Sequence, residues 1–327
     1  MTTATHAIRF HQTGGPDVLQ WESVEVGAPG PGEARISHAA VGLNFIDTYH
    51  RTGLYPVPLP SGIGLEGSGT VEAVGAGVTH VAPGDRVAYA GGPLGAYSQE
   101  RLIPADRLIR LPDNIDFTTG AAMMLQGLTA AYLLRRTFPV KAGDTVLIHA
   151  AAGGVGLIAC QWAKALGATV IGTVSTEAKA ELARAHGCDH PILYTRENFA
   201  QRVREITGGE GVAVAYDGIG KDTFAGSLDS LRPLGMMVSF GNASGAVPAF
   251  EALELTNRGS LFFTRPKLAD YTGKRADLEA LATELFDVVL SGKVKIEVKQ
   301  TYALKDAAQA HRDLEARKTV GSTVLIP

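Results

Sequence analysis

The spacing of apolar residues changes character along this chain. In the first third, short alternating segments at 6–11, 34–41, 67–74, 86–89 and 98–103 are separated by turn pairs such as Gly15-Pro16, Pro29-Gly30 and Pro83-Gly84. This predicts a β-rich, barrel-like domain. From residue 145 the pattern alternates between short apolar runs and longer helical periods. Strands are expected at 145–150, 169–174, 190–195, 212–217, 235–240 and 259–264, and helices at 154–167, 176–187, 197–207, 221–232 and 275–291. Strand and helix in regular alternation predict a doubly wound parallel sheet, an α/β fold. The end of the chain returns to β-character at 294–302, followed by a helix at 305–317 and a strand at 322–326.

The stretch Thr145 to Lys164, TVLIHAAAGGVGLIACQWAK, is the most informative. A buried strand runs into small residues and then into an apolar helix. That geometry binds a dinucleotide pyrophosphate: small residues let the backbone approach the phosphates, and the helix start offers unpaired N–H groups. The run is not G-x-G-x-x-G. Counted from Ala150 it is A-x-x-G-x-x-G, with Gly153 and Gly156 in the later glycine positions. The turn at Gly143-Asp144 and a second strand after Gly167 supply the β-α-β context the motif requires. Ala152, Gly153, Gly154, Val155 and Gly156 are the expected pyrophosphate contacts.

Gly143, Asp144, Leu147, Ala151, Ala152, Gly153, Gly154, Gly156, Gln161 and Lys164 also carry a resemblance. With VGLNFIDTY (41–49), GLYPVPLPSGIGLEGSG (53–69), LGAYS (94–98), VSFGNASGAV (238–247) and LFFTRP (261–266), the chain resembles the quinone oxidoreductase/ζ-crystallin group of the zinc-independent medium-chain dehydrogenase/reductase superfamily. The resemblance implies a Rossmann domain at 126–297 inserted into a GroES-like substrate domain made of 1–125 and 298–327, with the active site in the cleft between them. It implies reduction of quinones by hydride transfer from NADPH. The superfamily also holds NADPH-dependent reductases of activated alkenes, such as 2-alkenals and enones, and relatives that act as lens crystallins or bind AU-rich RNA.

The residues refine the choice of nucleotide. NAD-binding sheets commonly end their second strand in an acid that bonds the ribose hydroxyls. Here that end reads Gly172-Thr173-Val174-Ser175-Thr176, with Lys179 beyond. A hydroxyl pair and a cation suit a phosphate better than a diol, which favours NADPH. The same residues would also cap a helix, and the two roles are compatible. Tyr194 ends the third strand. The resemblance adds both Tyr194 and the distant Arg317 to the phosphate contacts. Phe240, Gly241, Asn242 and Ser244 follow the fifth strand, where ligands meet an open sheet, and the resemblance assigns them to the nicotinamide.

Composition narrows the remaining classes. The chain has 327 residues, 45% hydrophobic and 19% charged, which fits a globular protein of two domains. A net charge of −3 and the lack of a basic stripe with interleaved aromatics make nucleic acid an unlikely partner. No apolar stretch is long enough to span a bilayer, and the N-terminus does not read as a secretory signal, so a cytoplasmic protein is expected. Two cysteines, Cys160 and Cys188, cannot build a disulfide framework.

Zinc relatives in the superfamily carry a cysteine near Asn44 and a histidine in place of Leu65. Glu66 alone cannot hold zinc, so no metal is expected and Glu66 is read as ordering the cleft. Hydride transfer to a quinone needs the acceptor stacked on the cofactor, with donors for the charge that develops on oxygen. Asn44 and Tyr49 are the expected catalytic residues, positioning the acceptor or the nicotinamide. Tyr55 and Gln126 are polar neighbours that packing explains equally well. Finally, the apolar segment 260–266 reads as the edge strand of the parallel sheet, which predicts a homodimer paired through it.

Overall fold

The computed structural model describes residues 3–327. The chain separates into two compact units. One runs up to Leu128 and includes Thr272–Leu290 and Ile296–Pro327; the other holds Thr129–Tyr271 and Ser291–Lys295.

The second unit is built on a six-stranded sheet in which every pairing is parallel. Its strands lie in the order His190–Leu193, Thr169–Val174, Thr145–Ile148, Val212–Asp217, Leu231–Ser239, Phe262–Thr264. Numbered along the chain, this is 3-2-1-4-5-6, the Rossmann order, with the switch point between the first and fourth strands. The strands are apolar along their buried stretches: Val146, Leu147, Ile171, Val214, Ala215 and Met237 are all inaccessible to solvent.

Element boundaries differ from the sequence pattern where backbone geometry intervenes. The first strand stops at Ile148, because Ala150 turns the chain with φ 51°. The expected 221–232 helix is only Phe224–Asp229. Pro233 disfavours helix for the residue before it, and Leu234 at φ 61° accompanies a register shift against Val212–Asp217. The last strand is only Phe262–Thr264, since Ser260 has φ 56°.

The first unit carries a three-stranded sheet, Gln20–Val26, Thr3–Phe10 and Ser61–Gly62, and a seven-stranded one centred on the long strand Glu33–Leu43. That strand pairs antiparallel with Glu66–Val74, Glu100–Pro104 and Ser322–Ile326, so the C-terminal strand closes onto N-terminal sheet. Ile8, Phe10, Ile36, Tyr97, Ile103, Leu108, Leu304 and Leu325 share one apolar core. The strands Gln20–Val26 and Ser61–Gly62 and the helices Phe45–Thr52 and Phe117–Tyr132 lie outside the pattern-based expectation. Residues 117–132 are apolar on nearly every face, so no amphipathic period marks them.

Gly69 shows how tightly the strands approach. A side chain there would collide with the Ser37 carbonyl and lie 2.8 Å from His38 Cα. Gly69→Ala should therefore lower unfolding stability by ~1–3 kcal/mol, the usual cost of overpacking, as read by urea denaturation.

Candidate functional site

In the parallel-sheet unit the expected cofactor residues gather at the carboxyl ends of the strands. The strand Thr145–Ile148 runs into His149, a buried ring fixed on both sides. Ser227 Oγ donates to Asp217 Oδ2 at 2.9 Å, so it accepts from His149 Nε2–H, also at 2.9 Å. His149 Nδ1 then accepts the Thr173 hydroxyl at 2.8 Å. Burial depresses the His149 pKa, with the Asp217 charge opposing it, so the ring is a neutral spacer. Asp217 takes two further backbone donors, Ile219 N–H at 2.8 Å and Gly220 N–H at 3.0 Å, and the Thr223 hydroxyl at 2.7 Å. This network was not found from the sequence. Its signal is a polar residue closing each of two apolar strands, TVLIH and VAVAYD.

On that base stands the small-residue turn. Ala151 N–H bonds Thr173 O at 3.1 Å and Gly153 N–H bonds Ala150 O at 2.8 Å. The helix Gly154–Ala165 starts behind Gly153 with no side-chain cap. Its leading N–H groups have no partner within the helix, and the positive end of its dipole adds to their attraction for an anion. A side chain at Gly156 would collide with Ala150 O and lie 2.8 Å from Ala151 Cα, so helix and turn can meet only at a glycine. Ala152, Gly153, Gly154, Val155 and Gly156 thus lie together on one small-residue turn and helix start, a geometry able to receive an anion.

Ser175 follows the second strand. Thr176 caps the helix Glu177–Ala185 by accepting Lys179 N–H at 3.3 Å. Tyr194 N–H bonds Val174 O at 3.2 Å, and the Thr195 hydroxyl bonds Ser175 O at 3.1 Å. Ser175, Lys179 and Tyr194 are therefore brought to one rim, with Tyr194 40% exposed. A second cation stands there that sequence reasoning missed: Arg196, paired with Glu177 at 3.0 Å. Arg317 lies in the other unit, exposed, at φ 58° in the turn after the Ala307–Glu315 helix.

Phe240, Gly241, Asn242 and Ser244 form a loop laid against 217–220. Phe240 N–H bonds Asp217 O at 2.8 Å, Ser244 N–H bonds Ile219 O at 2.8 Å, and Ser244 Oγ accepts Asp222 N–H at 3.0 Å. A side chain at Gly241 would collide with Gly218 O. The two loops are one braced surface.

The barrel unit builds a separate polar cluster around Asn44, which is buried at the start of the Phe45–Thr52 helix. Asp47 Oδ2 accepts Asn44 N–H at 2.9 Å. Asn44 Nδ2 donates to Glu66 Oε2 at 2.6 Å, Gln126 Nε2 donates to Asn44 Oδ1 at 3.2 Å, and Ser322 Oγ donates to Gln126 Oε1 at 2.7 Å. Glu66 Oε1 takes Leu125 N–H at 2.7 Å. Gly42 leaves the room for this carboxyl, since a Cβ there would lie 2.6 Å from Glu66 Cδ. Tyr49 is buried one turn along the helix, edge-on to Tyr55 with ring centroids 5.2 Å apart.

A second chain, unpredicted from the sequence, meets the same cluster. Arg51 Nη1–H donates to His311 Nδ1 at 2.9 Å, His311 Nε2–H to Tyr97 Oη at 3.2 Å, and Tyr97 O–H to Asp47 Oδ2 at 2.8 Å. Arg51 is also held by Glu315 at 2.6 Å. Burial and the Arg51 charge hold His311 neutral, its pKa pushed down to about 3. Burial raises Asp47 to about 7. Glu66 is raised to about 8, chiefly by burial, against the pull of its Asn44 and backbone donors.

The sign of this shift can be tested. The folded state retains a Glu66 proton that the unfolded chain releases above 4.5. That stabilisation is complete below 4.5 and is lost as pH rises through about 8. Glu66→Gln removes the titration. The stability of wild type relative to the variant should thus fall by on the order of a few kcal/mol across this range, measured by urea denaturation at a series of pH values.

Comparison with known proteins agrees with this architecture. Residues 30–113 match the alcohol dehydrogenase GroES-like domain, and residues 154–286 match the zinc-binding dehydrogenase family. A quinone oxidoreductase of Pseudomonas aeruginosa is 54% identical, the match covering 98% of this chain and 99% of that protein. A 2-haloacrylate reductase of a Burkholderia species is 52% identical, covering 97% and 98%. The structure of the Escherichia coli quinone oxidoreductase complexed with NADPH superposes with a TM-score of 0.97 at 50% identity, covering 98% of this chain and all of that one.

The zinc in the one family description does not fit the donors present here. Both Glu66 oxygens are committed to N–H donors, and among the described residues no three His, Cys, Asp or Glu side chains cluster as a metal requires. With both family domains present and near-complete coverage by close relatives, the chain belongs to the quinone oxidoreductase family of the medium-chain dehydrogenase/reductase superfamily.

Proposed function

We propose that this protein reduces quinones with NADPH by direct hydride transfer, without a metal. The observation that carries this reading is the uncapped helix start behind a small-residue turn on a 3-2-1-4-5-6 sheet whose second strand ends in Ser175, Thr176 and Lys179, with no acid at the ribose position. NADPH, when bound, supplies the hydride. Ala152, Gly153, Gly154, Val155 and Gly156 offer the pyrophosphate its N–H groups and room. Ser175, Lys179 and Tyr194 meet the 2′-phosphate, joined by Arg317. Phe240, Gly241, Asn242 and Ser244 hold the nicotinamide in a loop that cannot collapse, because it is tied to 217–220 at both ends.

On the acceptor side, Asn44 and Tyr49 position the quinone. Asn44 presents an oriented amide, since Glu66 and Gln126 hold its two ends. Such a preorganised donor meets the charge that grows on the acceptor oxygen without reorganising. The family resemblance sets the acceptor domain at 1–125 with 298–327 and the nucleotide domain at 126–297, whereas the compact unit that carries Asn44 extends to Leu128 and takes in Thr272–Leu290. No helix among the described residues is long and apolar enough to cross a membrane. Two buried free thiols, Cys160 and Cys188, suit a reducing cytoplasm.

The 2-haloacrylate reductase relative favours a second reading, reduction of activated alkenes. NADPH oxidation should be followed against a panel of quinones and enals, before and after exhaustive chelation. Quinone turnover that survives chelation is expected; turnover of enals alone would select the second reading. Lys179→Ala should weaken NADPH binding by about tenfold or more, the value of one charge-assisted contact, and leave NADH binding nearly unchanged. Equal wild-type affinity for the two nucleotides would refute the phosphate assignment.

The same family reading assembles the chain as a homodimer through 260–266. Phe262–Thr264 is the edge of the parallel sheet, and Phe262 is 56% exposed there. Pairing two such edges across a two-fold axis satisfies the backbone and covers the ring. Sedimentation should report a dimer for the wild type and a monomer for Phe262→Lys.

A further inference from the structure

The side chains Glu66, Asn44, Gln126 and Ser322 form an unbranched buried chain, and its distances permit two complete hydrogen-bond patterns over the same heavy-atom positions. In the first, Glu66 is ionised. Asn44 N–H donates to Glu66 Oε2 at 2.6 Å, Gln126 N–H to the Asn44 carbonyl at 3.2 Å, and the Ser322 hydroxyl to the Gln126 carbonyl at 2.7 Å. In the second, Glu66 is protonated. Its Oε1 still accepts Leu125 N–H at 2.7 Å, so the proton sits on Oε2 and faces the Asn44 amide. That amide must then turn over to present its carbonyl. Its NH2 now meets Gln126, which turns over in its place and donates to Ser322 Oγ. The Ser322 proton has an acceptor ready, because Ala122 O lies 2.9 Å from the hydroxyl. Every link of the chain pairs one donor with one acceptor in both patterns. Any mixed pattern sets two N–H groups or two carbonyls face to face, a large cost among buried groups.

We propose that Glu66, Gln126 and Ser322 are positioning residues that turn the Asn44 carboxamide between two settings as Glu66 gains or loses its proton. The chain thereby selects whether Asn44 shows its neighbours an amide whose carbonyl or whose NH2 is engaged by Glu66. Ser322 is the pivot, since a hydroxyl can both donate and accept, and the Ala122 carbonyl makes the second setting complete. The functional consequence rests on the reading that Asn44 contacts the acceptor.

The charged and titratable groups around Glu66 are few. Asp47 faces it from the Phe45–Thr52 helix, Tyr97 from the segment before Glu100–Pro104, and Tyr89 from the Arg86–Ala90 strand. Arg51 acts on Tyr97, and Arg101 acts on Tyr89. His38 and His311 are buried and neutral, each pushed down to about 3. Asp47 raises Glu66 by its charge, but it bonds the Asn44 backbone N–H and not the carboxamide. The turning motion is therefore assigned to Glu66.

Side-chain amide signals of Asn44 and Gln126, followed by nitrogen-15 NMR over a pH series in the full-length protein, test this. In the wild type both amides should move together, with one midpoint shared by the carbon-13 signal of the Glu66 carboxyl. A carboxyl that titrates while both amides stay still overturns the proposal, and this comparison needs no variant. In Glu66→Gln the new amide donates to the Asn44 carbonyl permanently. Both signals should then stay at their wild-type low-pH positions throughout. Amides that still titrate in that variant overturn the assignment. In Asp47→Asn the joint titration should persist at a lower pH; its loss there would transfer control to Asp47 and refute the role of Glu66. The quinone KM should change with the same midpoint in the wild type and be flat in Glu66→Gln. A joint amide titration that leaves KM unmoved upholds the chain and overturns Asn44 as the acceptor contact.

Discussion

A carboxyl group removed from water must find its partners inside the protein. Asp217, Glu66 and Asp47 are all fully buried. Desolvating a carboxylate costs several kcal/mol, and only hydrogen-bond donors or protonation offset it. Asp217 meets the demand with four donors, two from the backbone of its own turn and two hydroxyls from the following helix region. Its turn, the adjacent 240–244 loop and the His149 end of the first strand are thereby held together. The small-residue turn at 150–153 is anchored to that arrangement.

Glu66 and Asp47 meet the same demand differently. Each has fewer donors, and each is held well above the ordinary carboxylate range. Asn44 connects them, with its backbone N–H on Asp47 and its side chain on Glu66. An asparagine tied at three points is confined to orientations that satisfy those partners, which suits the positioning role proposed for it. The neutral histidine His311 extends the order outward to Arg51, whose guanidinium never loses its proton and so sets the direction of every bond behind it. The candidate ligand-binding residues of each unit thus rest on, or belong to, buried polar networks.

Burial also explains which expectations needed revision. Residues 117–132 were silent in the pattern because a helix buried on most sides shows no polar face. The strand ends shifted at Ala150, Leu234 and Ser260, three residues with positive φ, a conformation that side-chain periodicity does not encode. The expected cofactor residues still gather at the carboxyl ends of the strands, where ligands meet an open parallel sheet whatever the length of the strand.

By itself, the sequence determined the alternation of strand and helix, the small-residue turn at 150–156, the hydroxyl and cation after the second strand, and the family. These are local or periodic properties, set by residues near one another in the chain. The tertiary structure decided what stands behind each of them. His149 meets Ser227, Asn44 meets Glu66 and Gln126, Gln126 meets Ser322, and Arg51 meets His311, across separations of 22 to 260 residues. A hydrogen bond depends on distance and angle in space, and no spacing along a chain reports either. A glutamate therefore reads as a glutamate in sequence, and only its buried surroundings make it a proton-holding partner of an amide.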